Sequence, residues 1–535
     1  MSQVPLSPFQ SLQKRASIRL ENFFHRCENV ESALFMDPGL DVIVSRIVHP
    51  DVMAQCFKKV FTYQSNRTFF DYDKILIFTT GELNHLEEYV NLLSSTQKPP
   101  REIVIVFSNR CNFIARQFFE SCGFLHKIKT EELRLPAWIL DPDFATLELP
   151  FSFSDLFIDG GGRCIERLSQ IIKSFPIYDH FTNVFMIGEA AIEIGKSLPP
   201  NFHSAWTHMI IFDRKVDSIT PFISATSYEA LVAELIGMNY GISHTSKNDL
   251  VLFSDQDTVS AQIRHLTFEE ASNYAVALFQ ETQNDLRKDA TNMENFRKIN
   301  ETTIQNISIG DHIDILEQIP KIISKDPNMN ANLSHELNLI LGNLNDIEFI
   351  KNAVAYSPDW QTPVRLLALY CQTSNKIPDL NEIRQMIIDR FGLEALAALW
   401  TLEEAGIVVS KKKPEFWTNI MRKFNLYSKE ITKNSEKPYD GFTPLIVRIL
   451  QKIAKKQWND CSVAFEELNI PAKALANRSP DMKRVLIVFV GGAMHGELSS
   501  LYHQKYDFRI NIDILATQVM SPHKLLNQLA GIEFT

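Results

Sequence analysis

Short, almost wholly apolar segments recur along this 535-residue chain, and they constrain its fold more than any other feature. Each suits a strand that is buried on both faces, and segments with helical periodicity separate them. Continuous apolar strands alternating with helices are typical of a parallel sheet covered by helices on both faces. The chain is therefore predicted to be an α/β protein.

The apolar segments form three groups along the chain. ALFMD, KILIFTT and REIVIVFS lie within residues 33–108, and DLFID, NVFMIG and HMIIFD lie within 155–213. From about 228 to 400 the pattern is helical, and strand patterns return only at 484–492 (RVLIVFVGG) and 511–517 (NIDILAT). Because strand edges need hydrogen-bonding partners, the two late strands are expected to join the second group in one sheet.

This distribution predicts three domains, since 535 residues are too many for one core. An N-terminal α/β domain is expected at residues 1–130. A discontinuous middle α/β domain is expected at 131–225 and 450–535, with a large, mainly helical insert at 226–449. A projecting helical hairpin is expected around 285–345.

Composition excludes several classes of function. The net charge of −10 argues against nucleic acid as a main ligand and against purely electrostatic binding to anionic membranes. The seven cysteines are scattered and form no CxxC pair, which favours reduced thiols in the cytosol. Neither a signal peptide nor an apolar run long enough to span a membrane is evident, so a cytoplasmic location is expected.

The segment IIFDRKVDSITPF combines two acids and a base after an apolar strand. The strand would deliver Asp213 to the carboxyl end of a parallel sheet, where ligand sites usually lie, so a catalytic acid is one interpretation. A buried carboxylate also needs a cation, and Arg214 supplies one next to it. Since no histidine or nucleophile accompanies Asp213 and Asp217, a structural junction is favoured over catalysis.

The junction and the helix after it resemble a known signature. IIFDRKVDSITPFISATSYEALVAELIG (210–237) is similar to the signature of the Sec/Munc (SM) family, whose members bind SNAREs during membrane fusion. Ser227 stands where the family commonly has threonine, which is a mild departure. The positions that match are Asp213, Arg214, Asp217, Thr220, Pro221, Tyr228 and Glu229.

Three further segments resemble the class C vacuolar protein sorting branch of this family, the SM subunits of the HOPS and CORVET tethering complexes. They are LWTLEEAGIV (399–408), YDGFTPLIVRILQ (439–451) and KRVLIVFVGGAMHGELSSLY (483–502). The resemblance implies a clasp-shaped, non-enzymatic protein without a cofactor that helps SNARE complexes assemble. Its implied partners are syntaxin-like and vesicle SNARE helices and a helical-solenoid tether subunit. The implied location is the cytoplasm, with peripheral recruitment to late endosome, lysosome or vacuole membranes.

Residues 311–340 carry apolar side chains at helical spacing, interrupted by two prolines. Core packing explains the pattern, but the family resemblance implies a second use, in which a hairpin offers these residues to SNARE helices. Prolines would allow the tip to bend on binding. The candidate SNARE-binding residues are Ile315, Ile319, Pro320, Ile322 and Ile323.

A basic stretch with aromatic residues, SKKKPEFWTNIMRKF, occupies residues 410–424 of this otherwise acidic chain. A solvated loop is the simpler interpretation. Aromatic and basic residues together are also enriched in interface hot spots, and in the class C branch this region docks the solenoid subunit. The candidate tether-binding residues are Phe416, Trp417 and Ile420.

Two alternatives stay open. The chain resembles SM proteins of other steps as well, at the Golgi, in endosome recycling or at the plasma membrane. It could also be an α/β enzyme that binds a nucleotide or phosphate, since IDGGGR (158–163) follows a predicted strand. That loop lacks the ending of a P-loop and the spacing of a dinucleotide fingerprint, so a turn is favoured and neither cofactor nor metal is expected.

Overall fold

The chain divides into two compact units, residues 1–142 and 143–534. The computed structural model describes residues 8–27, 32–37, 40–61, 72–81, 83–95, 100–108, 113–133, 135, 137–175, 183–198, 207–247, 249–289, 296–326, 328–343, 347–374, 380–409, 415–476 and 481–532. Each unit has a sheet of its own.

The first unit contains a parallel sheet with helices between its strands. The predicted strands ALFMD, KILIFTT and REIVIVFS are all present, and apolar side chains from them fill one core. The strand order is β2–β1–β3–β4–β5. The elements are α1 (Pro8–Cys27), β1 (Ser32–Met36), α2 (Leu40–Ile47), α3 (Pro50–Cys56), β2 (Lys59–Phe61), β3 (Lys74–Thr79), α4 (Leu83–Ser95), β4 (Glu102–Phe107), α5 (Phe113–Ser121), β5 (Lys129–Glu132) and β6 (Trp138–Asp141).

The sheet of the second unit is built from both ends of that unit. Its early elements are β7 (Phe144–Thr146), α6 (Ser152–Phe157), α7 (Gly162–Ser174), β8 (Asn183–Ile187), α8 (Glu189–Lys196) and β9 (His208–Asp213). Two 3₁₀ turns follow, Arg214–Val216 and Thr220–Phe222.

The next elements of the second unit are mainly helical, with one short strand pair. They are α9 (Tyr228–Leu235), β10 (Ile242–His244), β11 (Leu250–Leu252), α10 (Ser260–Ile263), α11 (Phe268–Asp289), α12 (Phe296–Ile323), α13 (Met329–Ile340), α14 (Glu348–Tyr356), α15 (Gln361–Thr373), α16 (Leu380–Phe391), α17 (Leu393–Glu404), α18 (Glu415–Phe424), α19 (Leu445–Ala454) and α20 (Trp458–Glu467). The antiparallel pair β10–β11 is an exception to the predicted helical pattern.

The C-terminal strands return to the sheet, as predicted. The last elements are β12 (Ala472–Ala476), β13 (Arg484–Val490), β14 (Ala493–Met494), α21 (His495–Phe508), β15 (Asn511–Ala516), β16 (Val519–Met520) and α22 (Pro522–Leu529). Within the second unit the strand order is β12–β8–β9–β13–β15–β7, so β13 and β15 lie inside the sheet. Strand β13 is parallel to both β9 and β15, with Ile487 opposite Ile210 and Ile514. The predicted fold class, α/β with two parallel sheets and many helices, is confirmed.

The predicted strand DLFID is wrong, because residues 155–157 belong to helix α6. Phe151 precedes the helix in the left-handed conformation, with φ of 59°. The carboxylate of Asp155 then accepts hydrogen bonds from the backbone N–H groups of Arg163 (3.4 Å) and Cys164 (2.9 Å) at the start of α7. A run of five apolar residues does not by itself distinguish a strand from a buried helix.

The helices of the second unit share two cores. Apolar side chains of α13–α20 pack in one continuous cluster with those of the sheet, for example Leu366, Leu399 and Ile449 with Ile210 and Ile487. Helices α9 to α12 form a separate cluster around Tyr228. The predicted helical insert and the predicted middle domain from residue 143 onward lie together in the second unit, whereas residues 131–142 belong to the first. The boundaries predicted between the middle domain and the insert, at 225 and 450, stay predictions.

Candidate functional site

The end of strand β9 is fixed by the carboxylate of Asp213. One oxygen accepts a hydrogen bond from the backbone N–H of Lys215 and the other from that of Ala190, both at 2.9 Å. Burial raises the pKa of Asp213, while these two amide donors and the Lys215 ammonium lower it. At Gly188, whose φ is 97°, an added Cβ would lie 2.3 Å from the Cβ of Asp213, so this close approach requires glycine. Asp213 thus joins β9 to the start of α8.

Arg214 is fully buried and binds the start of α21. Its two terminal nitrogens donate to the carboxylate of Glu497 at 2.9 and 2.6 Å, and the guanidinium also donates to the carbonyl oxygen of Gly492. Burial by itself would lower the pKa of Arg214, but the Glu497 carboxylate raises it. The guanidinium therefore stays charged, and the pair links residues that are 283 positions apart in the chain.

Asp217 folds the next turn on itself. Its carboxylate accepts hydrogen bonds from the backbone N–H groups of Ile219 (3.2 Å) and Thr220 (3.0 Å) and from the Thr220 hydroxyl (2.6 Å). Thr220 and Pro221 are buried in the 3₁₀ turn that follows. The acids of this junction accept hydrogen bonds from backbone amides and a hydroxyl, an arrangement that positions chain segments.

The first turn of α9 connects to two other helices. The hydroxyl of Tyr228 lies 3.0 Å from Nδ1 of His312 on α12, and the carboxylate of Glu229 lies 2.9 Å from Nδ1 of His495 on α21. Burial raises the pKa of Tyr228 well above its ordinary value, so the phenol stays neutral. The signature residues from Asp213 to Glu229 therefore join the sheet to the helical part of the second unit.

The glycine-rich loop at residues 158–163 is a turn between α6 and α7. Gly160 and Gly161 have φ of 77° and 79°. Backbone N–H groups at the start of α7, which have no partner within the helix, donate to the carboxylate of Asp155. A carboxylate of the chain thus occupies the place where a phosphate would bind. Among the described residues, no group of three or more His, Cys, Asp and Glu side chains is arranged to hold a metal ion.

Helices α11 and α12 pack against each other as an antiparallel hairpin, with the amide of Gln283 donating to the side-chain oxygen of Asn306 at 3.2 Å. The structure corrects the expected exposure of this hairpin. Ile315 and Ile319 are fully buried in the cluster around Tyr228 and are not available to a partner in this conformation. Ile322 and Ile323 are half-buried, and Pro320 is exposed near the end of α12. Pro327, the second expected bend, lies outside the described residues.

Other apolar residues of the hairpin face solvent instead. Val276 is 50% exposed and Phe279 is also exposed, and both share the face of α11 that carries Gln283. Ile307, next to Asn306 on α12, is 61% exposed. We call Val276, Phe279 and Ile307 the hairpin patch. The sequence analysis missed this patch because its residues are not part of the apolar stripe that was assigned to residues 311–340. The spacing of three residues between Val276 and Phe279 was a usable signal, because it places two apolar side chains on one face of a helix.

The expected exposure of the aromatic segment is also wrong. Trp417 is only 5% exposed, and its indole N–H donates to the carbonyl oxygen of Ile340 at 3.1 Å. Ile420 is fully buried, and Phe416 is half-buried against the same core. The amphipathic helix α18 buries this face because α15 and α19 pack against it. The lysines at 411–413 lie outside the described residues.

A different tryptophan is exposed nearby in the sequence. Trp400 is 60% exposed on α17, and Leu393, seven residues earlier on the same face, is 82% exposed. The Trp400 indole N–H donates to the carboxylate of Glu404 at 3.1 Å, which orients the ring. We call Leu393 and Trp400 the α17 patch. In the part of the chain that the structure describes, no helix combines the length and apolar character needed to cross a membrane.

Comparison with known proteins places these observations in a family. The chain is 19% identical to the Vacuolar protein-sorting-associated protein 33 homolog of Arabidopsis thaliana, over 98% of both chains. It is 21% identical to Vacuolar protein sorting-associated protein 33B of Rattus norvegicus, over 94% of both. A solved structure described as SM Protein Vps45 in Complex with Qa SNARE Tlg2 has a similar fold, with a TM-score of 0.58, 15% identity and 97% coverage of each chain. The Sec1 family model matches residues 33–528, and the chain therefore belongs to the Sec1 family.

Proposed function

We propose that this protein binds SNARE helices and promotes the assembly of SNARE complexes in fusion of endosomes with lysosomes or the vacuole. Membership of the Sec1 family and the similarity to an SM protein solved with a Qa SNARE support SNARE binding. The names of the relatives, which refer to vacuolar protein sorting, support this trafficking step.

The single observation that carries the proposal is the hairpin patch. Val276, Phe279 and Ile307 are exposed, while Ile315 and Ile319 of the same hairpin are buried in the core. Exposed apolar residues on a well-anchored element are typical of a surface that accepts an amphipathic helix. Pro320, Ile322 and Ile323 remain predicted additional contacts.

The proposed mechanism is templating. SNARE segments are disordered alone, and ordering them costs free energy that the complex must recover. A preformed hairpin that holds one segment as a helix lowers the cost of adding the next segment. The proposed partners are a syntaxin-like SNARE and a vesicle SNARE.

Binding of fluorescently labelled SNARE-motif peptides tests this proposal. Val276→Asp combined with Ile307→Asp is expected to weaken binding about tenfold or more, because a charge would be buried against an apolar helix face. The melting temperature should stay unchanged because both residues are exposed. Val463→Asp, at a valine that is 55% exposed on α20, is the control for one added surface charge. Equal binding by the double variant and this control would contradict the proposal.

A panel of SNAREs separates the proposed step from its alternatives. Preference for endosomal and lysosomal or vacuolar SNAREs is expected. Preference for Golgi or plasma-membrane SNAREs would instead identify an SM protein of another step. An enzyme that binds nucleotides is not favoured, because Asp155 already occupies the amides at the start of α7.

We also propose that the protein is a subunit of a class C tethering complex, bound to a helical-solenoid partner. The α17 patch supports this, since exposed tryptophan is enriched in interface hot spots. Trp400→Asp should reduce co-purification with the solenoid subunit. Tyr506→Asp, at a tyrosine that is 67% exposed on α21, is the control. Undiminished co-purification of Trp400→Asp would remove the α17 patch as the docking surface.

A further inference from the structure

A small cavity with a basic lining lies between the C-terminal ends of α18 and α19. Its volume is about 200 Å³. Arg448 and Gln451 are buried in its floor, whereas Lys455 and Gln457 are exposed at its rim. We call it the basic cavity, and its lining residues are Phe424, Asn425, Arg448, Gln451, Lys452, Lys455 and Gln457.

The positive charge of Arg448 is poorly compensated by the chain. One terminal nitrogen donates to Glu436 at 3.3 Å and the other to the neutral amide oxygen of Gln451 at 3.0 Å. The third nitrogen, Nε, is buried and has no hydrogen-bond partner. Burial lowers the pKa of Arg448, and Glu436 offsets this only partly. A buried guanidinium in this state gains free energy from a further anion.

The two lysines add uncompensated charge beside Arg448. Neither Lys452 nor Lys455 forms an ion pair with any described residue, whereas neighbouring lysines do. Lys456, the next residue, pairs with Asp481 at 2.9 Å, and Lys423 on α18 pairs with Glu467. Three cations, Arg448, Lys452 and Lys455, therefore line this cavity, and among the described residues only Arg448 of the three pairs with a carboxylate, that of Glu436, in a protein whose net charge is −10.

We propose that the basic cavity binds a phosphate group carried by a small molecule. Arginine and lysine side chains match the oxygens of a phosphate, and here Lys452 and Lys455 would supply point charges beside the guanidinium of Arg448. The backbone carbonyl groups at the C-terminal end of α19 carry partial negative charge and would repel a bound anion. This repulsion is smaller than the attraction of three nearby cations.

The cavity volume limits the ligand. Sites for drug-sized molecules usually measure about 300 to 1,000 Å³, so a whole nucleotide exceeds this cavity. The exposed rim at Lys455 and Gln457 leaves room for the rest of a phosphate-bearing molecule to extend into solvent. A phosphomonoester on an inositol ring has this chemistry, either as a soluble inositol phosphate or as a lipid headgroup.

Thermal unfolding and calorimetry with the full chain test the site. Inorganic phosphate and a soluble inositol phosphate are the first probes, and sodium chloride at equal ionic strength is the reference. We expect a saturable rise in melting temperature with both phosphate compounds and none with chloride. Lys452→Gln combined with Lys455→Gln should weaken the measured affinity about tenfold or more, since two charge-assisted contacts are lost.

The control is Lys456→Gln, which removes one positive charge, half the number removed in the double variant, at a neighbouring position outside the cavity lining. It should bind as the wild-type protein does. Equal affinity of the double variant and the control, or an equal rise with chloride, would overturn the proposal.

The source of the phosphate is distinguished with vesicles. Co-sedimentation with phosphatidylcholine vesicles that contain phosphatidylinositol phosphate, lost in the double variant and absent with pure phosphatidylcholine, supports a lipid headgroup. Binding of the soluble inositol phosphate without such co-sedimentation supports a soluble ligand. Absence of both forms of binding would overturn the proposal.

Discussion

At the scale of single residues, buried charged side chains hold together the junction that follows strand β9. Arg214 and Glu497 are both completely buried, and each satisfies the other through two hydrogen bonds. Such a pair adds little stability compared with apolar residues of the same shape, because removing both charges from water is costly. Removing one partner is different, since it leaves the other charge buried and uncompensated.

We therefore expect Glu497→Gln to lower the free energy of unfolding by about 3 to 5 kcal/mol. Urea denaturation followed by circular dichroism measures this change. The control is Glu193→Gln in the exposed pair between Glu193 and Lys196, which should cost less than about 1 kcal/mol. Similar losses in the two variants would show that Arg214 does not depend on Glu497.

At the scale of elements, helix α9 is tied to three other helices by a charged network. Arg365 on α15 donates to Glu234 at 2.7 Å and to Glu336 of α13 at 2.8 Å. Nδ1 of His523, at the start of α22, lies 3.0 Å from the Glu234 carboxylate. Burial alone would raise the pKa of Glu234, yet His523 and Arg365 lower it to about 2. Glu234 therefore stays ionised between two cations.

The same network predicts a dependence of stability on pH. Burial by itself would lower the pKa of His523, but the Glu234 carboxylate raises it above 6.5. The folded protein then binds a proton that the unfolded chain releases above about pH 6.5, so this stabilisation is complete below that pH. It is lost as pH rises through the raised pKa of His523.

His523→Gln should abolish this loss of stability. Urea midpoints are to be compared at about pH 6 and about pH 8 for wild type and variant. The buried histidines His208 and His265 have lowered pKa values, so they reduce stability as the pH falls below about 6.5, but they do so equally in both proteins and cancel when the variant is compared with wild type. An equal fall in midpoint for both proteins would exclude His523 as its source.

Some isoleucines of helix α12 lie in the core and others lie at the surface. Ile319→Ala should lower the free energy of unfolding by about 2 to 5 kcal/mol, because it leaves a cavity among α9, α11 and α12. Ile307→Ala, at an exposed position, should change it by less than about 0.5 kcal/mol. Chemical denaturation checks both values, and a small loss for Ile319→Ala would mean that the hairpin is not anchored as described.

At the scale of the whole molecule, the second unit depends on segments from both of its ends. Strand β13 lies between β9 and β15 in the middle of the sheet, and the intervening chain packs on the same core. A chain lacking β13 would expose the ladder of β9 and the apolar residues beneath it. The helical part between β9 and β13 therefore cannot be separated from the sheet without loss of their shared core.

A fragment of residues 143–483 should consequently fail to unfold cooperatively, whereas the fragment 143–534 should unfold in a cooperative transition. Thermal circular dichroism and limited proteolysis distinguish the two outcomes. A sharp transition in the shorter fragment would show that the helices form a core without the C-terminal strands.

Much of the fold was predictable from patterns with a short range. The alternation of apolar strands and helices indicated parallel sheets, and the need to pair every strand edge indicated that 484–517 joins the strands around 183–213. The error at DLFID arose because a short apolar run fits both a strand and a buried helix. The weak edge strand β12, rich in alanine, carried no clear strand signal.

The candidate surfaces were predicted less well. A hairpin was predicted around 285–345, whereas the antiparallel helices α11 and α12 span 268–323. Ile315 and Ile319 are buried, and Val276, Phe279 and Ile307 are exposed. Trp417 is buried, whereas Trp400 is exposed. A periodic stripe shows which side of a helix is apolar, but not whether another element of the chain covers it.

The sequence by itself determined the fold class, the family signature and the local geometry of the junction, because periodicity, turn chemistry and neighbouring charges act over a few residues. Only the tertiary structure decided which apolar faces are covered, which carboxylate pairs with Arg214 and where uncompensated cations meet at the basic cavity. These outcomes depend on contacts between different elements of the chain, as far as 283 positions apart for Arg214 and Glu497, and burial is a property of the packed chain rather than of any one segment.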